Sequence, residues 1–260
     1  MRQLTEAFLM GLGSLILHGA ALAQSADRIA DAPLNELQVI AERGNAIAQL
    51  ELASRYDFAE GVTEDNAEAV RWYRMAAEQG HPVAQFNLGV MYDLGEGVTA
   101  DAAEAVRWFR RAAEGGHATA QRILGAHYAT GGVVPEDDAE AVRWYRLAAA
   151  QGEVDAQYSL GFMHRDGEGV GKDDAEAARW FRLAAEQGHT EGQIGLGVSY
   201  YLGAGVPQND VEALKWFAIA AASGSQKAAG NMEVVKERMT SAQIEEAERM
   251  AAQWRPASSS

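Results

Sequence analysis

EAVRWYRMAAEQG, residues 68–80, returns four times along the chain: EAVRWFRRAAEGG at 104–116, EAVRWYRLAAAQG at 140–152, EAARWFRLAAEQG at 176–188 and EALKWFAIAAASG at 212–224. The tryptophans Trp72, Trp108, Trp144, Trp180 and Trp216 therefore recur every 36 residues. A fixed internal period of this length is the signature of stacked supersecondary units rather than of one irregular domain. Within the first copy Ala69, Trp72, Tyr73, Ala76 and Ala77 fall at i, i+3, i+4, i+7 and i+8, one broad apolar face of a helix. Asp65, Asp101, Asp137, Asp173 or Asn209 stands three residues before Glu68, Glu104, Glu140, Glu176 or Glu212. An Asp or Asn at the N-cap with a Glu at the third helical position marks a helix start, and Gly80, Gly116, Gly152, Gly188 and Gly224 mark the ends.

Upstream of each copy lies a second periodic helix. Ala48, Leu52 and Tyr56 are spaced i, i+4, i+8, and the same columns read Ala84, Leu88, Tyr92; Ala120, Leu124, Tyr128; Ala156, Leu160, His164; and Gly192, Leu196, Tyr200. A glutamine follows the first column in every row, from Gln49 to Gln193. Glycine-rich turns such as DLGEGV at 93–98 join this helix, A, to the tryptophan helix, B. Helices of about a dozen residues are marginal alone in water, so the pattern predicts an all-α fold, an α-solenoid of antiparallel helix pairs that bury their faces on one another.

The domain plan that follows is a segment 1–23, an N-terminal capping helix in 24–44, five repeats (45–80, 81–116, 117–152, 153–188, 189–224), and a degenerate repeat with a capping helix and tail in 225–260. Residues 32–44 read as a lone helix B. Thr240 and Gln243 form a T-x-x-Q capping box opening the last helix. Residues 7–24, AFLMGLGSLILHGAALAQ, are an apolar run led by Arg2 and closed by Ala21-Leu22-Ala23. This predicts a secretory signal peptide cut between Ala23 and Gln24, and a periplasmic or secreted mature chain. The alternative is a retained membrane anchor, for which the run is short; no later stretch is apolar enough to span.

The 260-residue chain has a formal net charge of −15 and no cysteine. Net acidity opposes nucleic acid or an anionic membrane as the main partner, and the missing cysteines exclude disulfides and thiolate metal sites. Four Arg-Trp-aromatic runs and one Lys-Trp-Phe run pose a choice between stacking platforms for a nucleic acid and packing, with Arg71 pairing to Glu68 on the surface. The charge favours packing. His81, His117 and His189 follow the helix-B glycine and read as turn or cap residues rather than a metal pair, since no HExxH or dense carboxylate cluster accompanies them. No cofactor, metal or catalytic constellation is predicted.

The columns A-Q-x-x-L-G-x-x-Y-x-x-G-x-G-V, then D-x-x-E-A-x-x-W-[YF], then A-A-x-x-G-H, resemble the Sel1-like repeat, a relative of the tetratricopeptide hairpin. Local departures are TGGVVPED at 130–137, His164 and Gly192. The resemblance implies an exported bacterial member acting as a non-enzymatic adaptor for a protein or peptide, in envelope signalling or host interaction. A disulfide-rich branch is associated with β-lactam binding and hydrolysis, and the alternative of a cell-wall-active or β-lactam-hydrolysing enzyme or accessory comes from it; the lack of cysteine weighs against that branch. Helix-A columns that change type between rows are the expected contact stripe, lining the concave groove of a solenoid: Arg55, Asn87, Met91, Ile123, His127 and Met163. Phe58, Leu94 and Leu202 lie on the same stripe, and, each standing just before a turn, they are the ones for which packing between repeats is the competing reading.

Overall fold

The computed structural model describes residues 28–257; the predicted signal peptide and its cleavage point lie outside them. The chain divides into two compact units, the first ending at Gly116 and the second beginning at His117. The first unit holds α1 (Leu34–Glu42), α2 (Ala46–Asp57), α3 (Asn66–Glu78), α4 (Pro82–Leu94) and α5 (Ala102–Glu114). The second holds α6 (Ala118–Thr130), α7 (Asp138–Ala150), α8 (Val154–Asp166), α9 (Asp174–Glu186), α10 (Thr190–Leu202), α11 (Asp210–Ala222), α12 (Gln226–Lys236) and α13 (Ser241–Gln253). There is no strand among the described residues. Within each unit, α1 to α5 and α6 to α12, each helix packs on the next in sequence, A on B and B on the following A.

The side chains of Asp65, Asp101, Asp137, Asp173 and Asn209 accept the backbone N–H of the glutamate three residues on, so helix B starts where the spacing places it. The glutamates do not complete the reciprocal box. The N–H they would have accepted is donated instead to the helix-A carbonyl of Tyr56, Tyr92, Tyr128, His164 or Tyr200, at 2.8–3.0 Å. That backbone bond ties the start of B to the end of A and frees the glutamate for its arginine. Thr240 and Gln243 do form the full box.

The aromatic pair of helix B is core. Trp72, Trp108, Trp144 and Trp216 are buried, Trp180 is half-buried, and Tyr73, Phe109, Tyr145, Phe181 and Phe217 are all buried. Outside them Arg71, Arg143 and Arg179 lie 4.1–4.4 Å over the neighbouring indole while pairing with Glu68, Glu140 and Glu176. The basic-aromatic run is packing: the stem covers the ring and the charge stays at the surface.

The glutamine column is buried and couples three helices. Gln49 Nε2 donates to the Ala41 carbonyl at 3.0 Å, and its Oε1 accepts from Gln79 Nε2 at 2.7 Å. In the second unit Gln157 bridges the Ala149 carbonyl and Gln187 in the same way. Gln49→Leu keeps the volume but removes both bonds, leaving the Ala41 carbonyl with the Gly44 N–H and the exposed Gln79 amide with the Met75 carbonyl, and is expected to cost about 1 kcal/mol in a denaturant titration. The first turn carries an opposite opportunity. Ala59 holds φ 56°, where Gly95, Gly167 and Gly203 stand in later rows. Ala59→Gly should raise stability by about 1 kcal/mol, by relieving a left-handed residue that has a Cβ.

The stack ends for a visible reason. Gly89, Gly125, Gly161 and Gly197 each face a helix-B ring so closely that an added Cβ would meet it at 2.6–2.9 Å. In α12 that column holds Glu233, so no further aromatic helix can seat there; α13 packs on α11 instead. The segment after it folds back, with Trp254 edge-on to Trp216 at 6.0 Å and the Ala257 N–H donated to the Glu186 carbonyl at 2.8 Å.

Candidate functional site

The exposed arc of helix A is narrower, and rotated, compared with the sequence expectation. Met91 and Met163 are 2% and 4% exposed and belong to the core, so they offer no surface to a partner. The reason is that helix A is clasped by two B helices, its own and the preceding one, which widens the buried arc past the Ala-Leu-Tyr stripe. Arg55 is committed inside the first unit: it pairs with Glu51 at 2.9 Å and donates to the carbonyls of Ala32 and Ala30 at 2.9 and 2.6 Å. Asn87 is half-buried and engaged with the Tyr73 hydroxyl. Ile123 and His127 are half-buried in α6. The residues with packing as the competing reading are the open ones, with Phe58, Leu94 and Leu202 at 66, 62 and 64% exposure.

Of the histidines behind the helix-B glycine, all three stand at the N-cap, and His117 and His189 cap with their side chains while His81 does not. His117 Nδ1 accepts the Ala120 N–H at 3.2 Å and His189 Nδ1 accepts that of Gly192 at 2.9 Å, while His189 Nε2 reaches Asp155 at 3.3 Å. Among the described residues no group of three or more His, Asp or Glu is placed to hold a metal. Burial pushes His81, His117 and His164 down from their ordinary value of 6.5, with Arg146 adding to the effect at His164 and Glu153 opposing it at His117. Each is held neutral in the folded chain, so protons favour the unfolded one. Their contribution is whole above the ordinary value and is lost as pH falls through the depressed folded values. The melting temperature should therefore drop from about pH 7.5 to about pH 5. A chain carrying His81→Asn, His117→Asn and His164→Tyr should show a flatter profile, because asparagine caps without titrating and tyrosine is the usual residue of the third column.

The helix-A face opens into a cleft in the second unit, between α8 and α10, of about 400 Å³. Its floor is apolar: Tyr158 and Phe181 stand 6.0 Å apart, Phe162 closes edge-on to Tyr158 at 6.3 Å, and Ile194 and Val198 form the far wall. Gly195 lets the Phe181 ring form the bottom. Its column holds Glu51, Asn87, Ile123 and Ser159 elsewhere, and a Cβ at Gly195 would sit 2.8 Å from the Phe181 ring. Charge at the rim is paired: Arg165 with Asp166 at 2.7 Å, Lys172 with Asp174 at 3.7 Å and Lys227 with Glu191 at 3.0 Å. The Arg165 guanidinium holds the Asp166 carboxyl below the usual carboxylate range and lies 4.0 Å over the Phe162 ring. The cleft was missed by the sequence reading, although Gly195 and Phe162 both depart from their columns. Nothing in this set resembles a nucleophile and base; it is a shaped apolar recess with a neutral edge.

No helix among the described residues is long and apolar enough to cross a membrane. The family model of the Sel1 repeat matches residues 46–81, 82–117, 118–153, 154–189 and 190–225. Comparison with curated proteins gives no match. Among solved structures, the Sel1 repeat protein from Oxalobacter formigenes is 31% identical, with a TM-score of 0.68, over 84% of this chain and 88% of that one. A protective antigen present in uropathogenic Escherichia coli strains, displaying an SLR fold, is also 31% identical, with a TM-score of 0.59; it is matched over 85% of this chain, which spans 55% of the antigen's length.

Proposed function

Since the chain belongs to the Sel1 repeat family, we propose that it is a non-enzymatic scaffold that holds a protein or peptide partner against the helix-A face of its second unit. The observation that carries this is the preformed apolar cleft between α8 and α10, flanked by the exposed side chains of Phe162 and Leu202. An exposed apolar recess rimmed by polar groups marks an interaction site. The export expectation belongs to the same reading: the apolar run at 7–24 precedes the repeats, and a likeness to a protective antigen supports a place outside the cytoplasm, in envelope signalling or host contact.

Photo-crosslinking tests it. A photoreactive residue placed at Phe162 or at Leu202 should capture a discrete partner in cells, and one at Arg143 on the helix-B surface should not. Equal capture from both faces, or none from the cleft, removes the reading. Fractionation and N-terminal sequencing should find the mature chain outside the cytoplasm and beginning at Gln24.

A further inference from the structure

We infer that the cleft between α8 and α10 receives an aromatic side chain carried by an uncharged stretch of the partner polypeptide; this rests on the scaffold reading above and names the chemistry of its partner. The floor argues for size and apolarity. About 400 Å³ is of the order that encloses a compact ligand, and Gly195, lacking the side chain that other repeats place there, lets the Phe181 ring close the bottom of the recess. The rings argue for an aromatic guest over an aliphatic one. Tyr158 and Phe162, the part-exposed rings, meet at an interplanar angle of 61° above the buried Phe181, so an edge and a face are offered together, the geometry in which a further ring gains most.

The rim argues against charge. All three of its cations and all three of its carboxylates are already partnered, so an ionic guest would have to break an existing pair to find a counter-charge. The cation position over Phe162 is likewise filled by Arg165. What remains is an anchor of the kind that dominates protein interfaces: a large ring in a desolvated pocket, ringed by groups that exclude water.

The test uses the full chain with labelled methyl groups, and N-acetyl-tryptophanamide as the probe. Saturable NMR shifts are expected at the methyls of Ile194, Val198 and Leu202. The response to N-acetyl-lysinamide should be at least about tenfold weaker. Gly195→Leu, whose side chain can enter only by pushing the Phe181 ring into the recess, should abolish the response. Phe162→Ala, at a residue already 36% exposed, should weaken it several-fold with helix content intact. Absence of saturable shifts, an equal lysine response, or a folded Gly195→Leu chain responding like the parent overturns the inference. Should Gly195→Leu not fold, an undiminished response in Phe162→Ala does the same. Failed crosslinking beside a saturable tryptophan response removes the scaffold reading and leaves the pocket chemistry; successful crosslinking with no such response removes the pocket chemistry alone.

Discussion

Gly205→Ala should destabilise the protein by about 3–5 kcal/mol, whereas the same substitution at Gly61 should cost only about 1–2 kcal/mol. Both glycines occupy one column of the turn between helices A and B, and both are left-handed, with φ of 72° and 74°. They differ in what lies beyond. A Cβ on Gly205 would fall inside the van der Waals envelope of the Asp174 carbonyl at the start of α9, and Gly169 is set in the same way on Asp138. A Cβ on Gly61 would meet nothing within 4 Å, since among the described residues no full helix pair precedes that hairpin. The pair separates two roles of one residue. Alanine at 61 adds only the conformational strain of positive φ. Alanine at 205 also forces the turn away from the preceding repeat, and backbone cannot yield as a flexible side chain does. Urea titrations of the two variants measure the difference; equal losses at the two positions would mean that the close turn-to-helix approach contributes nothing to the stack.

Sequence made that architecture readable because its signals are local. The Asp N-cap, the helix-B glycine and the apolar spacing of Ala69, Trp72 and Ala76 act within a single helix, and they place the helix boundaries to within a residue or two. Reading failed where a residue's role is set by a second element. Glu68 has the spacing of a capping box, but the Asp65 N–H is taken by the Tyr56 carbonyl across the hairpin, a bond that leaves no trace in the sequence. Met91 and Met163 vary between rows as a binding stripe would. They are buried because two B helices clasp the A helices that carry them, α4 and α8, and the width of a buried arc depends on how many neighbours it has. Arg55 was claimed by a carbonyl pair just ahead of α1, an end effect peculiar to the first repeat. The cleft did leave a signal, in Gly195 and Phe162, but it consists of two columns changing size together on adjacent helices. Only the packing of α8 against α10 turns that into a recess.

The glycine under each helix-B ring sets the second large effect. In Gly197→Ala the new methyl would lie 2.6 Å from the Phe217 ring, and Phe217 is itself 1% exposed, with no space to retreat into. The expected loss is about 2–4 kcal/mol, that of overpacking a full core. Alanine in this column is not forbidden as such: the first repeat carries Ala53, fully buried, beside a Tyr73 whose hydroxyl donates to Asp57 at 3.0 Å. Among the described residues that hairpin has no full helix pair before it, and it is built around the methyl. At 197 the helix is fixed from both sides, by Gln193 donating to the Ala185 carbonyl and by α11 and α9 packed against it. The strain must then fall on the ring, and shrinking the ring should relieve it. Phe217→Leu alone opens a cavity and is destabilising, but Gly197→Ala together with Phe217→Leu should lose less than the sum of the two single changes by about 1 kcal/mol or more. Strict additivity in that cycle would place the cost of Gly197→Ala somewhere other than the ring. It would also undo the explanation of why the repeat stops at Glu233, whose side chain stands in this same column with no aromatic helix above it.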